Sequence, residues 1–242
     1  MLSNKNIVIT GAQQGIGFET MKIAVSLGAT VFACYLDEKD DFMLLAEKES
    51  NIIPIHLDLS DNNSIKNAVK EIRSHKKHIS GLANIAGMTN DALFHMVTQG
   101  QLEQIFQINL FSQIVFSQYI TKLMLQNDEP SSVVNISSIS GLDGNIGQTA
   151  YSATKSAWVG VTKTMSKELS PKGIRVNAVA PGVIKTPMTD VLTDENIQSK
   201  IEKTALNRIG EADEVAKTIC YLLSNNASYI TGQIIRVDGG IG

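Results

Sequence analysis

VVNISSISGLDGNIGQTAYSATK, residues 133–155, decides how this chain is read. It begins as an apolar, β-branched run (Val133, Val134, Ile136), the pattern of a strand buried on both faces of a parallel sheet. Two serines follow, then a loop carrying Gly141, Gly144 and Gly147, and then Tyr151-Ser-Ala-Thr-Lys155, which opens a helical pattern. Tyr151 and Lys155 are four residues apart and therefore share a helix face. An ammonium beside a phenol favours the phenolate and is expected to pull its pKa down from about 10. A phenol tuned in that way can exchange a proton with an alcohol or carbonyl oxygen, and a serine at the end of the preceding strand can hydrogen-bond the same oxygen. Tyr-x-x-x-Lys also occurs on ordinary surface helices, so the reading depends on a hydride carrier binding elsewhere in the chain.

That second element lies at the start. Asn6 to Thr10 is a short apolar strand leading directly into Gly11-Ala-Gln-Gln14-Gly15-Ile16-Gly17, and a helical pattern runs from Phe18 to Leu27 before Gly28. Strand, glycine turn and helix make a cradle in which backbone N–H groups and a helix N-terminus face a pyrophosphate. Thr30 to Tyr35 forms a second strand, followed by Asp37-Glu-Lys-Asp-Asp41. Asp37, 20 residues after Gly17, stands where an acid meets the ribose 2′-hydroxyl of NAD, and equally where acids decorate a helix start.

The rest alternates strand and helix. Strands are expected at Ile52–Leu57, Leu82–Ala86, Ile174–Val179 and Gln233–Val237, and helices after Asp61, over Gln99–Leu125, Ala150–Leu169 and Glu211–Leu223. Asn109 falls mid-helix, where asparagine has poor propensity, which points to a hydrogen-bonding duty. Thr186 to Lys203 is polar with weak periodicity, the composition of a mobile lid. The alternation, without linker or repeat, predicts one α/β domain over 1–242: a single doubly wound Rossmann-type parallel sheet of about seven strands with helices on both faces.

Composition narrows the function classes. With 43% hydrophobic residues and 19% charged, the chain has ample core material, and a net charge of −3 offers no footprint for nucleic acid. No apolar run reaches the roughly 18 residues of a membrane span. The N-terminus MLSNKNIVITG has no signal-peptide pattern, so a cytoplasmic protein is expected. Cys34 and Cys220 lack metal-type spacing and read as buried reduced thiols; no metal site is expected.

Together these segments resemble the short-chain dehydrogenase/reductase family over essentially the whole chain. Thr10-Gly11-x-x-x-Gly15-Ile16-Gly17 resembles its cofactor turn, with Gln14 inside it, and Asp58-Leu59 its adenine-contacting pair. Asn84-Ile85-Ala86-Gly87 stands for the usual Asn-Asn-Ala-Gly, with Ile85 a departure. Asn109, Ser138, Tyr151 and Lys155 match the catalytic set, Ser138 rather than Ser137 lying 13 residues before Tyr151. Pro181, Gly182, Ile184 and Thr186 match the segment at the nicotinamide carboxamide.

The resemblance implies that Tyr151 is the general acid in reduction and that Lys155 lowers its pKa and binds the nicotinamide ribose. It implies that Ser138 polarises the carbonyl and that the Asn109 backbone holds a relay water. It further implies NADP(H) or NAD(H) as cofactor and a homotetramer built from 99–125, 150–169 and the C-terminal strand edge. Within the family the chain is most similar to bacterial reductases of 3-oxoacyl thioesters on acyl carrier protein, so an acyl-thioester substrate and a carrier-protein partner are expected. A free ketone, sugar or secondary alcohol is the alternative substrate, and a non-catalytic cofactor sensor the alternative class. Gln14 and Leu36 stand where NADP-preferring relatives carry arginine, and Asp128-Glu129 puts acid where carrier-protein reductases are basic, while Lys172 keeps the other basic position.

Overall fold

In the computed structural model, which describes residues 1–126, 129–189 and 194–241, seven parallel strands form one sheet in the order β3-β2-β1-β4-β5-β6-β9. The strands are β1 (Asn6–Thr10), β2 (Thr30–Tyr35), β3 (Ile52–His56), β4 (Gly81–Asn84), β5 (Ser131–Ile136), β6 (Ile174–Pro181) and β9 (Ile234–Val237). A separate two-stranded pairing joins β7 (Ile184–Lys185) to β8 (Gly210–Glu211). The principal helices are α1 (Gly15–Ser26), α2 (Asp40–Lys48), α3 (Asn62–Ser74), α4 (Gln99–Phe106), α5 (Ser112–Met124), α6 (Ile139–Asp143), α7 (Thr149–Leu169), α8 (Asp194–Ile201) and α9 (Ala212–Leu223).

The apolar runs become central strands because both of their faces are covered. Successive residues of β1 show it: Ile7 and Ile9 enter a core with Met21, Ala24, Val215 and Ile219 of α1 and α9. Val8 points the other way, to Ile65 and Ile72 of α3 and to Phe116 and Ile120 of α5. Each fully buried aliphatic or aromatic side chain contributes roughly 1.5–3 kcal/mol. Asp61 caps α3 as its sequence position implies, accepting from the backbone N–H groups of Asn63 and Ser64. Both cysteines are buried; burial pushes the Cys34 thiol far up and the Cys220 thiol up to about 12. Ile85, the departure in the second glycine motif, packs against the α1/α9 core.

Three expectations shift. The fourth strand ends at Asn84, not Ala86, because the Ile85 and Ala86 N–H groups donate to the Thr10 hydroxyl instead of to a strand ladder. The helix over Gln99–Leu125 is broken by a π-turn, Gln107–Phe111, with Asn109 at its centre. Within the segment expected as a lid, Thr186 to Thr189 is a hydrogen-bonded turn and Asp194–Ile201 a helix, while 190–193 fall outside the described residues.

Strand order runs outward in opposite directions from β1 and β4. The carboxyl ends of those two neighbours mark the switch point at which an open α/β sheet binds its ligand.

Candidate active site

The turn after β1 is shaped by contacts only glycine permits. Gly11 has φ +69°, and a methyl group on it would lie 3.0 Å from the Ala86 Cα. A methyl on Gly17 would run into the Gly11 carbonyl oxygen. Gln14 precedes α1 in extended conformation and makes no side-chain cap, and the first turn of α1 carries no acid. Its N–H groups are therefore unclaimed by side chains and face the space beside the turn, as a diphosphate requires. Thr186 closes the other side, its methyl 3.4 Å from where a Gly15 Cβ would be. Pro181 and Gly182 end β6, and a Gly182 Cβ would press within 2.7 Å of the Asp238 Cα. Ile184 is buried, and its carbonyl accepts from Thr189.

At the adenine end, Asp37 is exposed just beyond β2. The Asp58 carboxylate accepts from the Ser60 N–H and hydroxyl, bonds that hold its pKa below the usual carboxylate value. Leu59 sits in the α3/α5 core, leaving only its backbone for a ligand. Asn84 likewise faces inward, donating to Ser117 and to Asn135, so it too meets a ligand through backbone alone. Ala86 and Gly87 form the loop between the glycine turn and α7.

The candidate catalytic residues Ser138, Tyr151 and Lys155 converge at the carboxyl end of β5. Ser138 is the N-cap of α6, and its Oγ accepts from the Ser140 N–H at 3.1 Å. Its hydroxyl faces the Tyr151 phenol and favours the phenolate. Ser137 points away, fully buried, and donates to the Lys155 carbonyl at 2.7 Å. The two adjacent serines thus divide the work: Ser137 anchors α7 and Ser138 faces the phenol. Gly141 permits this, since its Cβ would lie 2.6 Å from the Lys155 carbonyl carbon and 2.7 Å from the Ser156 nitrogen.

Lys155 is buried, with Nζ donating to the Ile136 carbonyl at 2.9 Å and lying 5.7 Å from the Tyr151 ring centroid. Burial lowers its pKa to about 8. The expected lowering of Tyr151 is not what the environment produces. Burial pushes the phenol up, the Ser138 hydroxyl pulls it partly back, and the Asp91 carboxylate pushes it up again. The Lys155 ammonium is bonded to the Ile136 carbonyl, and desolvation of the phenol is the largest influence on its shift.

Asn109 is fully buried in the π-turn. Its side chain accepts from the Met88 N–H at 2.9 Å and donates to the Met88 carbonyl at 2.8 Å, holding the Gly87–Met88 loop. Sequence reasoning assigned no role to Asp91 or Gln148, which bond each other across the site entrance at 3.0 Å, or to Gln113 and Trp158, which bond the Asn109 carbonyl. A single tryptophan three residues after Lys155 was the available signal for the last of these.

A doubly wound sheet, a glycine cradle at its switch point and a serine–tyrosine–lysine cluster one strand away define a short-chain dehydrogenase/reductase, and this chain belongs to that family. The family model that matches, over residues 11–242, is described as Enoyl-(Acyl carrier protein) reductase. Among individual proteins, the chain is similar to the 3-oxoacyl-[acyl-carrier-protein] reductase FabG of Thermotoga maritima, at 37% identity over 99% of this chain and 98% of the relative. It is 36% identical to the FabG of Aquifex aeolicus over 99% of this chain and 98% of that protein. It is 35% identical to that of Staphylococcus epidermidis over 98% and 99%. Among the described residues no helix is long and apolar enough to cross a membrane, and no cluster of His, Cys, Asp and Glu could hold a metal ion.

Proposed function

We propose that this chain reduces the 3-oxo group of an acyl thioester to a secondary alcohol. The observation that carries the reading is the Ser138 hydroxyl facing the Tyr151 phenol, with the buried Lys155 ammonium one helical turn on. A bound nicotinamide supplies the hydride to the carbonyl carbon. Ser138 and Tyr151 both donate to the carbonyl oxygen, favouring the negative charge that grows there. The Tyr151 proton then passes to that oxygen, so that hydride and proton together add across the C=O bond. The raised phenol keeps its proton until the oxygen becomes basic enough to take it. Lys155 holds positive charge beside the phenolate that remains.

The nucleotide that fits is NAD(H) in preference to NADP(H). Asp37 and Glu38 stand exposed beyond β2, and three of the chain's four arginines, Arg175, Arg208 and Arg236, are engaged elsewhere. Arg73 lies in the last turn of α3, Arg175 donates to the Leu222 and Ser224 carbonyls, Arg208 pairs with Glu214, and Arg236 with Asp143 and Asp238. A 2′-phosphate would meet carboxylates, whereas a 2′-hydroxyl can donate to one. With acetoacetyl thioesters, initial rates at 340 nm are expected to give at least ten times higher kcat/KM for NADH than for NADPH, roughly the 1.4 kcal/mol of one charged hydrogen bond. A preference for NADPH would overturn the assignment. Turnover of neither thioester, with nucleotide still bound, would sink the substrate class.

The same experiment addresses the carrier protein. Glu129 is exposed at the amino end of β5, 3.8 Å from His78 and at the opposite end of the strand from Ser138; Asp128 falls outside the described residues. Within one chain Glu129 therefore does not line the site, and carrier-bound substrate is expected to be reduced at least as well as a small thiol ester. Enoyl reduction, the activity in the matching family's description, puts the hydride on a carbon two atoms away from the one that bears the charged oxygen, whereas the 3-oxo carbon bears its oxygen directly. Ser138 and Tyr151 are paired on a single oxygen position, so a crotonyl thioester is expected to be inert. Assembly as a homotetramer belongs to this reading, and Phe111 and Val115 leave exposed apolar surface on the π-turn and α5 for it. Sedimentation at micromolar concentration tests that.

The pH dependence follows from Lys155. Its folded pKa of about 8 lies below the usual value, so the ammonium is present below pH 8 and is lost as pH rises through it. The phenol, shifted upward, stays protonated across the same range. kcat/KM for reduction is therefore expected to be level from pH 6 to 7.5 and to fall about tenfold per unit well above 8. A level profile to pH 10 would contradict the role given to Lys155.

A further inference from the structure

We propose that Trp158 is a positioning residue for this site: its indole N–H pins the Asn109 carbonyl, and with it the π-turn, to the helix that carries Tyr151 and Lys155. The proposal rests on the reductase reading for its meaning, but its geometry is independent of substrate. Trp158 is 1% exposed, and its Nε1 donates to the Asn109 carbonyl at 2.8 Å across 49 residues of sequence. It lies one turn beyond Lys155 on α7.

A π-turn breaks the regular ladder of an α-helix and leaves carbonyls to be satisfied by side chains. Here Gln113 Nε2 reaches the carbonyls of Ala86, Ile108 and Asn109 at 2.9, 3.2 and 3.1 Å. The Asn109 carbonyl thus has two side-chain donors in reach: Gln113, whose two N–H groups are shared among three carbonyls, and Trp158, whose single N–H is committed to it. The indole is thus the fixed partner that ties the turn to a second helix.

The consequence reaches the chemistry through a short chain of contacts. The pinned turn sets the Asn109 amide, the amide holds both backbone groups of Met88, and the adjoining Gly87 is packed between Asn109 and Lys155. A Cβ on Gly87 would meet Asn109 Oδ1 at 3.4 Å and Lys155 Nζ at 3.5 Å. Freed, the turn can shift by a few tenths of an ångström, which moves the loop beside the ammonium. Such misplacement lowers the rate of the chemical step more than it weakens binding.

The lone tryptophan makes the test direct. Replacing it by 3-benzothienylalanine keeps the ring shape and removes the N–H; Trp158→Phe removes both shape and donor. Both variants are expected to show kcat three- to tenfold lower with the nucleotide KM nearly unchanged. A benzothienyl enzyme with the parental kcat, or one whose loss falls on nucleotide KM alone, would overturn the proposal by showing that Trp158 only fills space. A readout without turnover separates this from failure of the reductase assignment. In a ¹⁵N spectrum the single indole N–H is expected to exchange slowly with D₂O and to shift on saturation with NAD⁺. An indole signal that exchanges within minutes, or stays in place with nucleotide bound, overturns it even if no thioester is reduced.

Discussion

Tyr151→Phe is expected to lower kcat for carbonyl reduction by about 10³-fold, within the 10²–10⁴ range of a positioned general acid. It should leave the nucleotide KM close to the parental value. The substitution removes one oxygen from a side chain whose ring is held by α7 and whose hydroxyl meets Ser138. Nothing else in the site donates a proton along the same line: the Lys155 ammonium is directed to the Ile136 carbonyl, and the Asn109 amide is spent on Met88. Ser138→Ala should cost less, because the phenol can still reach the oxygen without its partner. The double variant should be little worse than Tyr151→Phe alone, since the two groups act as a unit. Losses that multiply across the double variant would show that they act separately, contrary to a shared hold on one oxygen. Single-turnover rates with saturating nucleotide measure the effect free of product release.

Gly141→Ala should be nearly as damaging to catalysis, by about 10²-fold in kcat, although residue 141 touches no substrate. The added methyl would lie 2.6 Å from the Lys155 carbonyl carbon and 2.7 Å from the Ser156 nitrogen. Both atoms are backbone of α7, so no side chain can rotate away and the two helices must part. α6 begins at Ser138 and α7 carries Tyr151, so parting the helices pulls the serine from the phenol. Overpacking of this kind costs roughly 1–3 kcal/mol, which lowers Tm by several degrees in a chain of this size without unfolding it. The expected signature is a stable protein with near-parental nucleotide affinity and a collapsed kcat. An alanine variant with full activity would show that the helices have slack the packing does not display. Gly144→Ala is the comparison: no atom lies within 4 Å of a methyl there, and only its positive φ of 78° opposes the change.

How far the sequence reaches can be followed along particular residues. The parallel sheet was legible because Ile7-Val8-Ile9 and Val133-Val134 are apolar at consecutive positions, and only a strand buried on both faces uses such a run. The cofactor turn was legible because Gly11 and Gly17 meet backbone within their own motif, a local constraint that local sequence records. Tyr151 and Lys155 share a helix face by spacing alone.

Other features were decided only by distant packing. Whether Ser137 or Ser138 faces the phenol depends on how α6 leaves β5 and lies on α7, and spacing alone made Ser138 a matter of family likeness. The π-turn at Asn109 has no local signature, because it is held open by Met88, Gln113 and Trp158, the last from a helix 49 residues away. The inward direction of Leu59 and Asn84 follows from the cores they enter. The shift of the Tyr151 phenol has the opposite sign to the one its lysine neighbour suggested, because burial is a property of the whole fold. The sequence by itself thus determined the strand–helix order and the cradle and singled out the candidate groups, since periodicity and glycine contacts are short-range. Tertiary structure alone decided which atoms face the reacting oxygen and how strongly each holds its proton, since hydrogen-bond partners and desolvation are set by residues far apart in the chain.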